Sequence, residues 1–323
     1  MKALCVFSGG LDSMLAAELV RVQGIDVLAL FFETPFFTSD KASASADSMD
    51  LPFKVIDITK RHFEIVKKPK HGYGGNMNPC IDCHSLMFRI AGEMLKEEGA
   101  DFVITGEVLG QRPMSQNRES LTIVSNESGL NGLLLRPLSA KLLPATVPET
   151  EGWVDREKLM NIQGRSRKPQ MALAEDLDIK EYPSPAGGCL LTDKIFSRRL
   201  KDLILSDKSA EIVDIKLLKI GRHFKISPEV KLIVGRNKKE NENLRSLISD
   251  KDLLFSAMQV PGPTALLKAD RNDSYLQIAA EITASYGDGR VGDYIKVLIK
   301  GENGQETLTA EVKDKALFRK YMV

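Results

Sequence analysis

The stretch Ala3-Leu4-Cys5-Val6-Phe7-Ser8-Gly9-Gly10-Leu11-Asp12-Ser13 decides the fold. Residues 3–7 form a short, unbroken apolar run, the pattern of a strand buried on both faces. The run stops at Ser8-Gly9-Gly10. From there Leu11, Leu15, Leu19 and Val22 recur at helical spacing until Gly24 ends the pattern. Strand, glycine turn and helix in succession make a phosphate-binding arrangement. The glycines let the backbone approach an anion with no Cβ in the way. The unpaired N–H groups at the helix start, aided by the helix dipole, favour negative charge there. Ser8 and Ser13 add hydroxyl donors, and Asp12 is the candidate ligand for a magnesium ion bridging phosphate oxygens. No lysine follows the glycines, which excludes the G-x-x-x-x-G-K-[ST] loop of the common NTPases. A serine-capped glycine turn without a ligand is the plain alternative.

Working outward, residues 27–32, 53–58 and 101–105 read as further strands and residues 81–98 as a helix. This βαβ rhythm predicts an α/β fold with a doubly wound parallel sheet. Between about 133 and 188 proline recurs at Pro137, Pro144, Pro148, Pro169, Pro183 and Pro185. Short helices and connections are expected there, forming a linking region. Beyond Phe196, strand-like runs at 212–220, 231–234, 253–260, 295–299 and 307–312 surround a helical stretch at 275–286. That pattern predicts a C-terminal α+β domain. The expected division is 1–138 for the nucleotide-binding domain, 139–195 for a linker carrying a catalytic loop, and 196–323 for the last domain.

The 323 residues are enough for two or three domains, and 43% hydrophobic with 28% charged residues at net charge +1 excludes a disordered class. No apolar stretch is long enough for a membrane span, and the first residues lack a secretory pattern, so a cytoplasmic protein with no membrane partner is expected. Thiols stay reduced in that compartment. The four cysteines, Cys5, Cys80, Cys83 and Cys189, therefore read as metal ligands or redox groups, not as staples.

The S-G-G-x-D-S pattern after the first strand resembles the PP-loop of the N-type ATP pyrophosphatases, which have the adenine nucleotide alpha hydrolase-like fold. That family includes GMP synthetase, argininosuccinate synthase, tRNA-lysidine synthetase and the tRNA thiolases. The resemblance extends to Thr105-Gly106 and to Arg136-Pro137-Leu138. It implies ATP and Mg2+ held by Ser8, Gly9, Gly10, Asp12 and Ser13, with Thr105 and Gly106 closing over the nucleotide. It further implies cleavage between the α- and β-phosphates, transfer of AMP to a substrate oxygen and release of pyrophosphate. Phe31 and Phe32 fall where the family contacts adenine, with core packing as the plain alternative for both.

The cysteines narrow the substrate. Cys80-Ile81-Asp82-Cys83 follows the glycine-rich His71-Gly72-Tyr73-Gly74-Gly75-Asn76, and its spacing puts two thiolates on one helical turn. Cys189 follows Ser184-Pro185-Ala186-Gly187-Gly188, a composition expected to let the segment fold back over a nucleotide. Three thiolates suit iron–sulfur ligation. A closed zinc site wants four ligands, and the obvious fourth, His84, adjoins Cys83. Asn78-Pro79-Cys80-x-x-Cys83-His84 and Gly187-Gly188-Cys189-Leu190 resemble the two cysteine segments of tRNA 2-thiouridylase. In cluster-dependent tRNA thiolases, 4-thiouridine synthetases among them, a C-x-x-C plus a distant cysteine holds a [4Fe-4S] cluster with one iron open. Here Cys80 stands where the thiouridylase has aspartate, which favours the cluster over a two-cysteine persulfide. Zinc or plain buried thiols are the other readings. Cys5, within the first strand, reads as core. His62, His71 and His223 show no ligand spacing.

Between about 194 and 245 basic residues outnumber acidic ones. A solvated face is the plain reading, and phosphate neutralisation the functional one. Val234-Gly235-Arg236-Asn237, Asn241 and Leu244, followed by Asp252-Leu253-Leu254-Phe255 and Pro261-Gly262, resemble the RNA-binding module of the NFACT proteins. Phe255 and Ala257 stand where that module has tryptophan and histidine. The resemblance makes Arg236, Asn237 and Asn241 the candidate RNA contacts. Taken together, the resemblances imply an enzyme, a tRNA sulfurtransferase that adenylates a pyrimidine carbonyl and replaces its oxygen with sulfur. Its partners would be tRNA and either free sulfide or a separate sulfur donor. The alternatives are a PP-loop ligase or amidotransferase acting on a small molecule with a structural metal, and an RNA-binding factor that senses ATP.

Overall fold

The computed structural model describes residues 1–184, 189–206, 210–268, 273–302 and 304–323, the side chains of 273 and 274 excepted. It divides into two compact units, Met1–Thr192 and Asp193–Val323. Most of the expected linking region, 139–195, therefore lies within the first unit.

The first unit runs β1 (Lys2–Val6), α1 (Leu11–Arg21), β2 (Asp26–Glu33), α2 (Asp40–Asp47), β3 (Phe53–Asp57), α3 (Thr59–Lys67), α4 (Cys80–Glu98), β4 (Phe102–Thr105), α5 (Arg118–Ser128), β5 (Leu134–Leu135), α6 (Val147–Thr150) and α7 (Lys168–Asp176). The five strands are parallel, in the order β3-β2-β1-β4-β5. This is the doubly wound sheet that the βαβ rhythm predicts. The alternation along β1 explains its continuous apolar run. Ala3 and Cys5 pack on one face with Met14 and Ala17 of α1. Leu4 packs on the other with Leu86, Phe88 and Ala91 of α4. With helices on both sides, Ala3, Leu4 and Cys5 of this central strand are fully buried. Chain order reverses between β1 and β4, and ligands of such sheets bind outside the strand ends at that point.

The second unit runs α8 (Lys194–Ser206), α9 (Ile212–Leu218), β6 (Arg222–Ser227), β7 (Val230–Val234), α10 (Lys238–Ser246), β8 (Leu253–Ala257), β9 (Thr264–Lys268), α11 (Asp273–Ser285), β10 (Tyr294–Gly301) and β11 (Gly304–Glu311). Six antiparallel strands lie in the order β11-β10-β8-β9-β7-β6. One face buries Phe224, Leu232, Phe255 and Val297 against Leu276, Ala279 and Ala280 of α11. On the other, Leu217, Ile220, Leu244 and Leu247 cover Ile233, Leu266 and Leu254.

The strand expected at 212–220 is a helix. Its β-branched residues mimic a strand, but Glu211 and Asp214 form a capping box at its start, and Ile215 and Leu218 fall on one buried face. The strand expected at 253–260 ends at Ala257. Among the described residues no helix is long and apolar enough to cross a membrane.

Candidate active site

The phosphate loop joins β1 to α1 at the point where the sheet order reverses. Gly9 has φ +72, and a Cβ there would stand 2.5 Å from Ala42 Cα in α2, so only glycine fits. Ser45 of α2 donates to the Gly9 carbonyl at 2.9 Å and pins the turn from outside. Helix α1 begins at Gly10 with no side-chain cap. Its first-turn N–H groups are thus left for an anion. Ser13 Oγ donates to the Gly10 carbonyl at 2.8 Å and lies 3.3 Å from the exposed Ser8 Oγ, so the two hydroxyls flank the turn. Gly106, after the buried Thr105 at the end of β4, packs directly on this loop. A Cβ on it would meet Ser13 N at 2.5 Å and Asp12 C at 2.6 Å.

Residues 106–115 form a strap leading away from the loop. Gln111 Nε2 donates to Asp12 Oδ2 at 2.9 Å, while Asp12 Oδ1 is buried with no hydrogen-bond partner among the described residues. Glu107, next to Gly106, is buried between His84 Nδ1 at 2.6 Å and Arg136 Nε at 2.9 Å. Burial pushes its carboxyl up, but Arg136 and His84 outweigh that and hold it below the ordinary range. Arg136 also donates to Ser125 Oγ and the Leu121 carbonyl, so the Arg-Pro-Leu segment is a clamp on the strap. Arg112 and Ser115, toward the far end, lie near enough to the Cys80 thiol to oppose the rise that burial imposes on it.

Cys80 and Cys83 occupy the first turn of α4. The Asp82 carboxylate accepts from the backbone N–H groups of Lys70 and His71 and so anchors the glycine-rich loop before the helix. That loop in turn holds the Cys189 segment. Asn76 Nδ2 donates to the Thr192 carbonyl at 2.7 Å, and Met77 N to the Leu191 carbonyl at 3.2 Å. Gly187 and Gly188, part of the expected second cysteine motif, lie outside the described residues, as do Pro185 and Ala186.

The three cysteines sense one another. Burial pushes the Cys83 thiol well up, and Cys189 and Cys80 push it further. Burial also raises Cys80, against Arg112 and Ser115. Cys189 is raised by burial and by Cys80, against the Leu191 N–H and Arg112. Among the described residues no three His, Cys, Asp or Glu side chains stand close enough together to hold a metal ion. Cys5 is buried in β1, as expected of a core residue. Phe31 and Phe32 both belong to the core, one on each side of the sheet.

In the second unit, Asn237 and Asn241 have scaffold roles. Asn237 Oδ1 caps α10 by accepting from Glu240 N at 3.0 Å. Asn241 Oδ1 accepts from Thr264 N at 3.0 Å and lies against Gly235, where a Cβ would collide with it. Arg236 is exposed but lies on Glu240, with Nε 2.9 Å from Oε1. Gln111, Glu107 and Ser115 escaped the sequence reading. The one signal for them was their position after Thr105-Gly106.

Residues 1–141 match the family model "Thiamine biosynthesis protein (ThiI)", and residues 221–322 match "NFACT protein RNA binding domain". The two ends of the chain thus resemble two different families. A probable tRNA sulfurtransferase of Halothermothrix orenii is 32% identical over 163 residues, covering 46% of this chain and 37% of that protein. The tRNA-specific 2-thiouridylase MnmA of Karelsulcia muelleri is 34% identical over 122 residues, covering 34% of this chain and 32% of its own. The chain thus spans about a third of the length of these curated relatives. Among solved structures, a 4-thiouridine synthetase in complex with RNA and bound ATP aligns over 55% of this chain and 51% of its own, at 22% identity and a TM-score of 0.36.

Proposed function

We propose that the chain is a cytoplasmic enzyme that uses ATP to adenylate a pyrimidine carbonyl oxygen of tRNA and exchanges that oxygen for sulfur. The observation that carries this reading is the strap 106–115, which starts against Asp12 and Ser13 and is bonded through Glu107 to His84, the neighbour of Cys83 in the first turns of α4. An activating site and a set of thiols are mechanically joined within one unit. The ThiI-type and NFACT-R-type matches support the nucleotide and the RNA.

The N–H groups at the start of α1, with Ser8 and Ser13, bind the triphosphate. The pyrimidine oxygen attacks the α-phosphorus, the bond to the β-phosphate oxygen breaks, and pyrophosphate leaves. Donors fixed before the reaction stabilise the charge that develops on it. Sulfide then attacks the ring carbon, a C–S bond forms, the C–O bond to AMP breaks, and the proton of hydrosulfide passes to solvent. No electrons are gained or lost overall. Sulfide comes from solution or from a separate donor.

Asp12 fits a magnesium ion: Gln111 holds one oxygen, and the other is buried without a partner. Bound there, magnesium neutralises phosphate charge. Cys80, Cys83 and Cys189 fit a [4Fe-4S] cluster in donor type and number. Cys83 is buried and Cys80 and Cys189 half-buried, and all three are raised thiols that a cation would convert to thiolates. When bound, such a cluster supplies a soft iron that presents sulfide as the nucleophile.

Two measurements test the reading. Nucleosides from tRNA of a deletion strain are profiled by mass spectrometry, and a thionucleoside is expected to disappear. An unchanged profile refutes the function. Iron and acid-labile sulfide are assayed in protein purified anaerobically, with Cys189→Ser expected to lose both. Zinc in their place refutes the cluster and leaves the sulfur transfer standing.

A further inference from the structure

Of the candidates for RNA contact drawn from sequence, Asn237 caps α10, Asn241 braces Thr264 and the exposed Arg236 is paired with Glu240; a second exposed surface of the unit combines basic and aromatic groups. Among the described residues, the apolar side chains that α9 and α10 lay on one face of the sheet cluster with Ile233 of β7, Leu266 of β9 and Leu254 of β8. Beyond them, β10 alternates strictly. Ile295, Val297 and Ile299 point into the core, while Tyr294, Lys296 and Lys300 are exposed and Leu298 half-buried. The register aligns Leu298 with Ser256 of β8 on one side and with Thr307 of β11 on the other. Met258 follows β8 on the same face. It is 56% exposed, with its sulfur 3.9 Å from Thr307 Oγ1, so its side chain lies across the strands. Tyr294 is 70% exposed.

We infer that this open half of the sheet, centred on Tyr294, Lys296, Lys300 and Met258, is the surface on which the second unit holds single-stranded or looped RNA. The inference rests on the RNA reading of the function and gives it a location. Three features argue for RNA rather than for a protein partner. The first is composition: a large exposed ring, a thioether and two lysines stand on one flat surface, and aromatic and basic groups on an open sheet stack bases and meet phosphates. The second is charge. Of the carboxylates on β8, β10 and β11, Glu306 lies opposite Ile299 and so on the core side. Glu311, beside Tyr294 at the end of the face, is the one that shares it. The third is spacing. Lys296 and Lys300 are four residues apart on an extended strand, about 13 Å, which is the reach of two to three nucleotides of backbone. Arg236, the cation among the candidates drawn from sequence, is held by Glu240.

The test measures binding of the full chain to unmodified tRNA by fluorescence anisotropy across a salt series. Tyr294→Ala is expected to weaken binding about tenfold or more, the loss of one stacked base. Tyr294→Phe keeps the ring and is expected to bind as wild type. Lys296→Gln with Lys300→Gln is expected to weaken binding and flatten the log–log salt slope by about 1.4, the loss of two phosphate contacts. Arg236→Ala is expected to change neither. All these positions are exposed, and thermal unfolding of each variant checks that the fold is kept. Affinity and slope within twofold of wild type in the Tyr294→Ala and double-lysine variants overturn the sheet surface while leaving the sulfurtransferase reading intact. A wild-type chain that does not bind tRNA refutes that reading and the surface with it.

Discussion

Gly106→Ala is a one-methyl change whose cost can be worked out from the structure. The new Cβ would stand 2.5 Å from Ser13 N, 2.6 Å from Asp12 C and 2.7 Å from Asp12 O. All three are backbone atoms at the head of α1, so no rotamer change relieves the contact. Ordinary van der Waals contact begins at 3.4 Å. The end of β4 and the phosphate loop must therefore part by about 1 Å, a displacement on the scale that costs about a hundredfold in rate when it misplaces reacting groups. Overpacking of this kind also costs about 1–3 kcal/mol of stability. Adenylation, assayed as tRNA-dependent pyrophosphate release from ATP, is expected to fall about a hundredfold in a variant that remains folded. Gly24→Ala separates the two effects. Its φ is +79, but nothing lies within 4 Å of the added methyl, so it is expected to lose stability and keep activity. A Gly106→Ala protein within threefold of wild type, or a folded Gly24→Ala protein equally inactive, refutes the reasoning.

Three further expectations concern groups held by the fold. Gln111→Leu releases Asp12 Oδ2, and the magnesium concentration for half-maximal pyrophosphate release is expected to rise about tenfold, the weight of one charge-assisted hydrogen bond; an unmoved midpoint contradicts the positioning role. Asn241→Ala strips the acceptor from the Thr264 N–H and is expected to cost the second unit about 1–3 kcal/mol in urea unfolding, while loss of RNA affinity at unchanged stability would make it a contact instead. His62 is fully buried between Phe36 and Phe37, both ring nitrogens without a hydrogen-bond partner among the described residues, and burial lowers its pKa from 6.5 to about 4. The folded state favours the neutral ring, so this stability is complete above 6.5 and is lost as pH falls toward 4. At about 1.4 kcal/mol per pH unit the window carries about 3 kcal/mol. Urea unfolding of His62→Leu across that range is expected to show a correspondingly shallower acid loss; a pH dependence identical to that of wild type contradicts it.

The phosphate loop was legible because its signals are local. A five-residue apolar run, two glycines and a helical repeat each act within a few residues of one another. The strands and helix of the first unit followed for the same reason. At 212–220 local signals misled, since β-branched residues suit either state and the capping box that decides is two side chains long. The Val-Gly-Arg-Asn pattern was legible as a motif but not as a role. Asn237 turns out to cap α10, and Asn241 to brace Thr264 across 23 residues, a relation that only the folded sheet creates. The Glu107–His84–Arg136 cluster and the Gln111–Asp12 bond are likewise pairings between distant segments, with no periodicity to announce them.

The strand order β3-β2-β1-β4-β5 also sets a timetable for the growing chain. Of these five strands the first to leave the ribosome is the central one, and Val6 pairs with Thr105, about a hundred residues later. At synthesis rates of about 5–20 residues per second, one edge of β1 waits several seconds for β4. During that interval Ala3, Leu4 and Cys5 stand unprotected, and the phosphate loop lacks the Gly106 contact beneath it. A nascent chain stalled before residue 102 should therefore be a chaperone client, and one extended past β5 should not.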